Sequence, residues 1–289
     1  MSVSLNIPVK YTIITTFNAR GYNLYASRMI DTFLRTWPSN IRLRVYAENC
    51  EVMQRAPNLE ILDLHGVSPG LCNFKQRWGD VAKANGDISN EPRLNQRKDV
   101  HKHFKWDAIR FSHKVYAIFH ASGSVDSEWL IWIDADMVCH SPVPISFLDY
   151  MCPENQDLCY LGRPGKFSEC GLYALHLNTK GTVRFLREFE RMYNDAENGI
   201  FTLGEWHDSF VFDDVKNRIP GLRMLNWSSN LGDLRASPTN SPGEGHPLIN
   251  SEWGAYLDHL KGDNRKQAGH SLAKDIKVQR NESYWQQIT

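Results

Sequence analysis

Hydrophobic and polar positions change their period several times along this chain, and each change marks an element. Val9 to Phe17 is a β-branched and aromatic run that reads as a first strand, ending in the turn-rich Asn18-Ala19-Arg20-Gly21. Tyr25 to Trp37 then sets Met29, Ile30, Phe33, Leu34 and Trp37 at helical spacing, and Pro38-Ser39-Asn40 closes the helix. Ile41 to Ala47 alternates apolar residues with Arg and Tyr, as a half-covered strand would. The opening is therefore β-α-β, and a helical crossover of this kind joins parallel strands. Ile61 to Leu64 reads as a third short strand. From Ser68 to Lys105 the periodicity is lost and no element follows from it.

Order resumes at Trp106 to Ala121, a helix with Phe111, Val115, Ile118 and Phe119 along one stripe and Arg110, His113 and Lys114 flanking it. Trp129-Leu130-Ile131-Trp132-Ile133 is apolar on both alternating sides, so it belongs in the middle of a sheet covered on both faces. Leu158 to Leu161 and Leu172 to Leu177 read as strands around a polar turn at Arg163 to Cys170. Val183 to Asn194 predicts an amphipathic helix that uses Val183, Leu186, Phe189 and Tyr193. Asn226 to Ile249 is rich in Ser, Pro, Gly and Asn, as suits a long surface loop. The pattern predicts an α/β fold with a mostly parallel central sheet and helices on both faces. A single domain over 1–289 is expected, with residues 9–140 and 141–289 as its halves.

Composition narrows the partners. Lys plus Arg and Asp plus Glu are 33 each, so the formal net charge is zero, and no global field favours nucleic acid or an anionic membrane. The locally basic stretch from Arg93 to Lys105 could touch a phosphate or polyanion, or be a solvated helix face. The six cysteines form no Cys-x-x-Cys pair, which argues against a structural zinc site and for reduced thiols. The N-terminal residues carry no basic-then-apolar leader, and no apolar run reaches membrane-spanning length. The expectation is a soluble, cytoplasmic protein without membrane insertion.

Candidate chemistry gathers after the most apolar strand. In α/β sheets ligands collect outside the carboxyl ends of the strands, and Asp134 and Asp136 fall at that edge. On an extended segment residues i and i+2 point the same way, so the two carboxylates could share one hard cation, Mg²⁺ or Mn²⁺. Such ions use one or two carboxylates together with substrate phosphates, which implies a diphosphate ligand. Asp after a strand also caps turns and helices.

With Thr15-Thr16-Phe17-Asn18 closing the first strand, Asp134-Ala135-Asp136, and the late His259-Leu-Lys-Gly-Asp-Asn-Arg-Lys266, the chain resembles nucleotide-sugar glycosyltransferases of the GT-A fold. The closest pattern is that of the glycogenin-like retaining branch. The resemblance implies a Rossmann-like GT-A sheet, Mn²⁺ (or Mg²⁺) on Asp134, Asp136 and His259, and a UDP-sugar as donor. It also implies that residues 9–140 bind the nucleotide and that 141–289 bind the acceptor and carry the late metal and diphosphate segment. In that branch a His-x-x-Gly-x-x-Lys segment supplies the third metal ligand and a diphosphate lysine. Here the lysine comes one residue late, so Lys266 has Lys261 as a rival, and His270 is the fallback for His259.

Uridine is assigned by the same resemblance to Thr15, Thr16, Phe17 and Asn18. Arg110 and Lys114, one helical turn apart, can present two cations to the diphosphate or sugar, or be ordinary helix surface charge. Asp208 sits where the family carries an acidic residue near sugar and acceptor: a base in an inverting enzyme, an oxocarbenium stabiliser or nucleophile in a retaining one, and otherwise a helix cap. Glu169 and Cys170 to Tyr173 are placed on the acceptor side by analogy. The acceptor itself, carbohydrate, protein or small molecule, is not identified, and a nucleic acid would have the Arg93 to Lys105 stretch alone to speak for it. Two other readings stay open. A sugar-phosphate nucleotidyltransferase would want a glycine-rich basic loop where this chain has Phe17-Asn-Ala-Arg-Gly-Tyr22, and a non-catalytic sugar or nucleotide-sugar binder would bind without turnover.

Overall fold

A computed structural model of the chain describes residues 9–91, 103–163, 165–229, 231 and 246–288. Seven strands form one sheet in the order β3-β2-β1-β4-β7-β6-β8. β1 is Tyr11–Asn18, β2 Arg42–Glu48, β3 Leu59–Asp63 and β4 Trp129–Ile133, and these four are parallel. β6 (Leu158–Arg163) and β8 (Met224–Asn226) run the same way, while β7 (Lys166–His176) runs against both β4 and β6. A short antiparallel ribbon joins β5 (Met137–Cys139) to β9 (Leu257–His259). The expected Rossmann-like α/β sheet, mostly parallel with helices on both faces, is the one observed.

β4 shows why. All five of its residues are buried, and they alternate between two apolar layers. Trp129, Ile131 and Ile133 pack with Met29, Ile30 and Phe33 of α1 (Ser27–Thr36). Leu130 and Trp132 join the layer that holds Phe74 of α2 (Pro69–Trp78), Val115 and Ile118 of α3 (Ala108–Ser124), Phe189 of α4 (Lys180–Asn194) and Phe212 of α5 (Asp208–Arg218). A strand with no polar face is stable when both faces are covered, and here they are.

Several expectations change at the boundaries. Asn18-Ala-Arg-Gly21 is no loop: the Asn18 side chain accepts from Gly21 N at 2.9 Å and caps a helical run that starts at Ala19 and continues through a π-helical stretch, Tyr22–Ala26, into α1. β2 is almost fully covered rather than half-covered, because Arg44 lies buried with its Nε 2.8 Å from Glu60 Oε2 and a nitrogen 2.7 Å from Ser124 Oγ. The polar segment from Arg163 to Cys170 is mostly strand. Its backbone pairs with β6 while several polar side chains turn into a cleft. On α4 the buried stripe is Phe185, Phe189, Met192 and Tyr193, spaced i, i+4, i+7, i+8, and this leaves Val183 45% exposed.

The unassigned stretch from Ser68 holds α2 and a 3₁₀ turn, Ala82–Asn85. The basic segment lies outside the described residues from 92 to 102, as does 232–245 of the expected loop. The six cysteines are free thiols. Among the described residues no helix is long and apolar enough to cross a membrane.

Candidate active site

The carboxyl ends of β1, β2 and β4 open onto a cleft of about 1440 Å³. β4 delivers Asp134 to its floor, and a turn in which Asp134 O accepts from Met137 N brings Asp136 beside it. The pairing of the two carboxylates therefore comes from a turn, not from extended alternation. β5 leaves that turn and pairs with β9 so that Met137 stands opposite His259, and Leu260 N donates to Asp136 O at 2.9 Å. A backbone ladder thus carries the late histidine to the aspartates.

Each carboxylate has one oxygen anchored and one turned inward. Asp134 Oδ1 accepts from Trp132 Nε1 at 2.7 Å and from Lys114 Nζ at 3.2 Å, while Oδ2 lies 3.8 Å from His259 Nε2. Asp136 Oδ2 is 2.9 Å from Lys266 Nζ, and its Oδ1 is 3.2 Å from His259 Nε2. Donor atoms of Asp134, Asp136 and His259 all fall within 4.8 Å of one another. Two carboxylate oxygens, each with its sister oxygen held by protein, and an imidazole nitrogen fit a divalent cation of the Mn²⁺ or Mg²⁺ kind. Burial opposes ionisation of Asp136, but His259 and Lys266 outweigh it and hold the carboxyl well below its usual range. Burial likewise works against a charged His259, and Asp136 beside it raises the imidazole's affinity for a proton.

Lys114 is buried, and its ammonium is already committed to Asp208 Oδ2 at 2.7 Å, to Asp134, to the Cys170 carbonyl and to the face of Trp132 at 4.8 Å. Burial would weaken this ammonium as an acid-base partner of water, yet the two aspartates hold it charged well above the usual lysine range. Arg110, one turn earlier, stays exposed at the cleft wall. Asp208 is the first residue of α5, but the side chain that caps this helix is that of His207.

On the first-strand side, Thr16, Phe17 and Asn18 line the cleft. Thr16 Oγ1 donates to Tyr46 O at 2.6 Å, and Phe17 stacks on Tyr22. Thr15 is fully buried within β1 and does not line it. Arg265 turns away to Asp275, with Nε 2.7 Å from Oδ2, and leaves Lys266 to face Asp136. Lys261 instead binds Glu169 at 2.5 Å, and His270 bonds Ser271 O outside the cleft. Residues that sequence reading missed include Glu48, which closes β2 in contact with His113, and Trp132. The rule that singled out Asp134 also applied to Glu48, since both stand at carboxyl ends of parallel strands.

No family model and no curated protein matches the chain. Among solved structures it is similar to the bifunctional glycosyltransferase WbbM (10% identity, TM-score 0.45, covering 78% of this chain and 39% of that one). It is also similar to a glycosyltransferase involved in glycosylation of the major capsid of PBCV-1 (13%, TM-score 0.42, 90% and 99%) and to mouse xyloside xylosyltransferase 1 (10%, TM-score 0.43, 75% and 84%). The chain spans well under half the length of the first of these. At such distances the functional reading rests on the side chains of the cleft.

Proposed function

We propose that this protein is a single-domain, GT-A-type glycosyltransferase that moves a hexose from a UDP-sugar to an acceptor hydroxyl, with Mn²⁺ or Mg²⁺ held by Asp134, Asp136 and His259. One observation carries the reading: two carboxylates and an imidazole converge within 4.8 Å at the carboxyl end of a parallel strand, on the floor of a large cleft. When bound, such a cation offsets charge developing on a diphosphate leaving group.

The chain's own groups supply the rest. Lys266, beside Asp136, pairs with diphosphate oxygens, and exposed Arg110 is placed to add a second positive charge. Thr16, Phe17 and Asn18 flank the nucleoside. Asp208 is engaged by Lys114, so we assign it to stabilising positive charge at the anomeric carbon, the role it would have in retaining transfer, rather than to taking the acceptor's proton. Lys114, engaged by both Asp208 and Asp134, ties these two carboxylates together at the cleft wall.

The test is to incubate the protein with Mn²⁺ and a panel of nucleotide sugars and measure UDP release. Release that disappears in Asp136→Ala supports the reading, and full activity in that variant contradicts it. Pyrophosphate release in place of UDP would mark nucleotidyl transfer, and binding without turnover a non-catalytic binder.

A further inference from the structure

Beside the Asp134, Asp136 and His259 group lies a second cluster, buried except for Lys261, that the proposed reaction leaves without a role. Glu169 Oε2 is 2.5 Å from Lys261 Nζ, 3.3 Å from His246 Nε2 and 3.7 Å from an Arg163 nitrogen. Its Oε1 accepts from Gly171 N at 3.3 Å and faces His259 Nδ1 at 3.9 Å. That nitrogen is buried and has no hydrogen-bond partner among the described residues.

An imidazole that turns its Nε2 lone pair to a cation must carry its proton on Nδ1, and a buried N–H needs an acceptor. Around the His259 ring, Asp134 and Asp136 face Nε2, Glu169 faces Nδ1, and the His246 ring stands edge-on with centroids 4.8 Å apart. His246 does not serve as that acceptor: its Nδ1 already accepts from Leu248 N at 3.3 Å, and its Nε2 lies 3.3 Å from Glu169 Oε2, whereas His259 Nδ1 faces the other oxygen, Oε1.

Gly171 supplies the space. A Cβ there would lie 2.6 Å from His259 Cε1, 3.0 Å from its Nδ1 and 3.1 Å from Glu169 Oε1, so any side chain would wedge the ring from the carboxylate. Gly171 O also accepts from Asp134 N at 2.8 Å, which ties this gap to the backbone that carries the first aspartate.

We infer that Glu169 is a positioning residue: through His259 Nδ1 it fixes the tautomer and ring orientation that turn Nε2 toward Asp134 and Asp136, and Gly171 provides the gap this pair requires. The consequence for cation affinity rests on the reading under Proposed function. Donor atoms of Glu169, His246 and His259 also lie within 4.8 Å of one another, but Lys261 and Arg163 already balance this carboxylate, so its role is to orient His259 and not to hold a second cation.

The experiment uses the full chain, with Mn²⁺ titrated calorimetrically and the ring nitrogens followed by NMR after ¹⁵N labelling of histidine. The wild type is expected to take one Mn²⁺ and to show a slowly exchanging His259 Nδ1–H in metal-free protein. The double variant Glu169→Leu with Lys261→Met keeps the net charge of the cluster and removes the acceptor that faces Nδ1, so a purely electrostatic role would leave the protected Nδ1–H unmoved. Instead, Mn²⁺ affinity is expected to fall about 10- to 100-fold with loss of the protected Nδ1–H signal. Gly171→Ala should act in the same direction, and it carries the test if the double variant fails to fold. Glu169→Asp should recover part of the affinity. Wild-type affinity with an unchanged Nδ1–H signal in either variant overturns the inference, and so does a second bound Mn²⁺ that the double variant loses. If the wild type takes up no Mn²⁺, the cation reading fails, and the metal-free Nδ1–H signal still decides whether Glu169 orients His259.

Discussion

Lys114→Met would remove a buried ammonium from between two carboxylates, and the structure sets the size of the loss. The Nζ lies 2.7 Å from Asp208 Oδ2 and 3.2 Å from Asp134 Oδ1 and donates to the Cys170 carbonyl. At an effective dielectric of about 20 these two attractions are worth about 6 and about 5 kcal/mol before desolvation is counted. Burying the ammonium cancels much of that. What the variant loses is governed by what stays behind, two carboxylates and a carbonyl without their common donor, and stripping one partner from such a group costs about 3–5 kcal/mol. Chemical denaturation near neutral pH of wild type, Lys114→Met, Asp208→Asn and the double variant measures it. The single lysine variant should lose about 3–5 kcal/mol, and the double should lose less than the sum by about 1–3 kcal/mol, the coupling of groups in direct contact. A loss below about 1 kcal/mol, or strict additivity, would show that the ammonium is not the keystone of this wall.

Lys266→Ala should weaken Mn²⁺-assisted UDP binding by about 10-fold or more, the worth of one charged hydrogen bond, as read by calorimetry. His140 is stacked flat on Tyr284 with centroids 4.1 Å apart, and burial pushes its imidazole from the usual 6.5 down to about 4. The unfolded chain therefore takes up a proton at this residue below pH 6.5 that the folded chain refuses until about pH 4, so stability falls as pH drops through that window, by about 3 kcal/mol in full. His140→Phe should flatten the melting-temperature profile between pH 6.5 and 4, and an unchanged profile would count against the burial argument. By contrast Arg77 and Glu197 form an exposed pair at 2.7 Å, and Glu197→Ala should alter stability by no more than about 0.5 kcal/mol.

What the sequence disclosed follows from what periodicity can encode. The all-apolar β4 announced a covered sheet, and its position placed Asp134 and Asp136 at the ligand edge. The β-α-β opening and its parallel pair were legible for the same reason. Burial of Arg44 was hidden because its partners, Glu60 and Ser124, are brought to it by tertiary contacts. The strand character of Lys166 to Cys170 was masked by polar side chains that face a cleft instead of a core. His259 was recoverable by resemblance alone, since nothing local says that β9 will pair with β5. For Lys114 and Arg110 helical spacing gave a common face, but it could not tell a buried, fully engaged ammonium from an exposed guanidinium. The cluster around Glu169 draws on residues 163, 169, 246, 259 and 261, a grouping that only the folded chain makes.

Calorimetric titration of UDP into the protein, with and without Mn²⁺, for wild type and Asp136→Ala, tests the central claim most directly. The account predicts that Mn²⁺ tightens UDP binding by about 10-fold or more in the wild type, a coupling of at least about 1.4 kcal/mol, and that Asp136→Ala abolishes the gain. Equal UDP affinity with and without Mn²⁺ in the wild type, or an undiminished gain in Asp136→Ala, would contradict it.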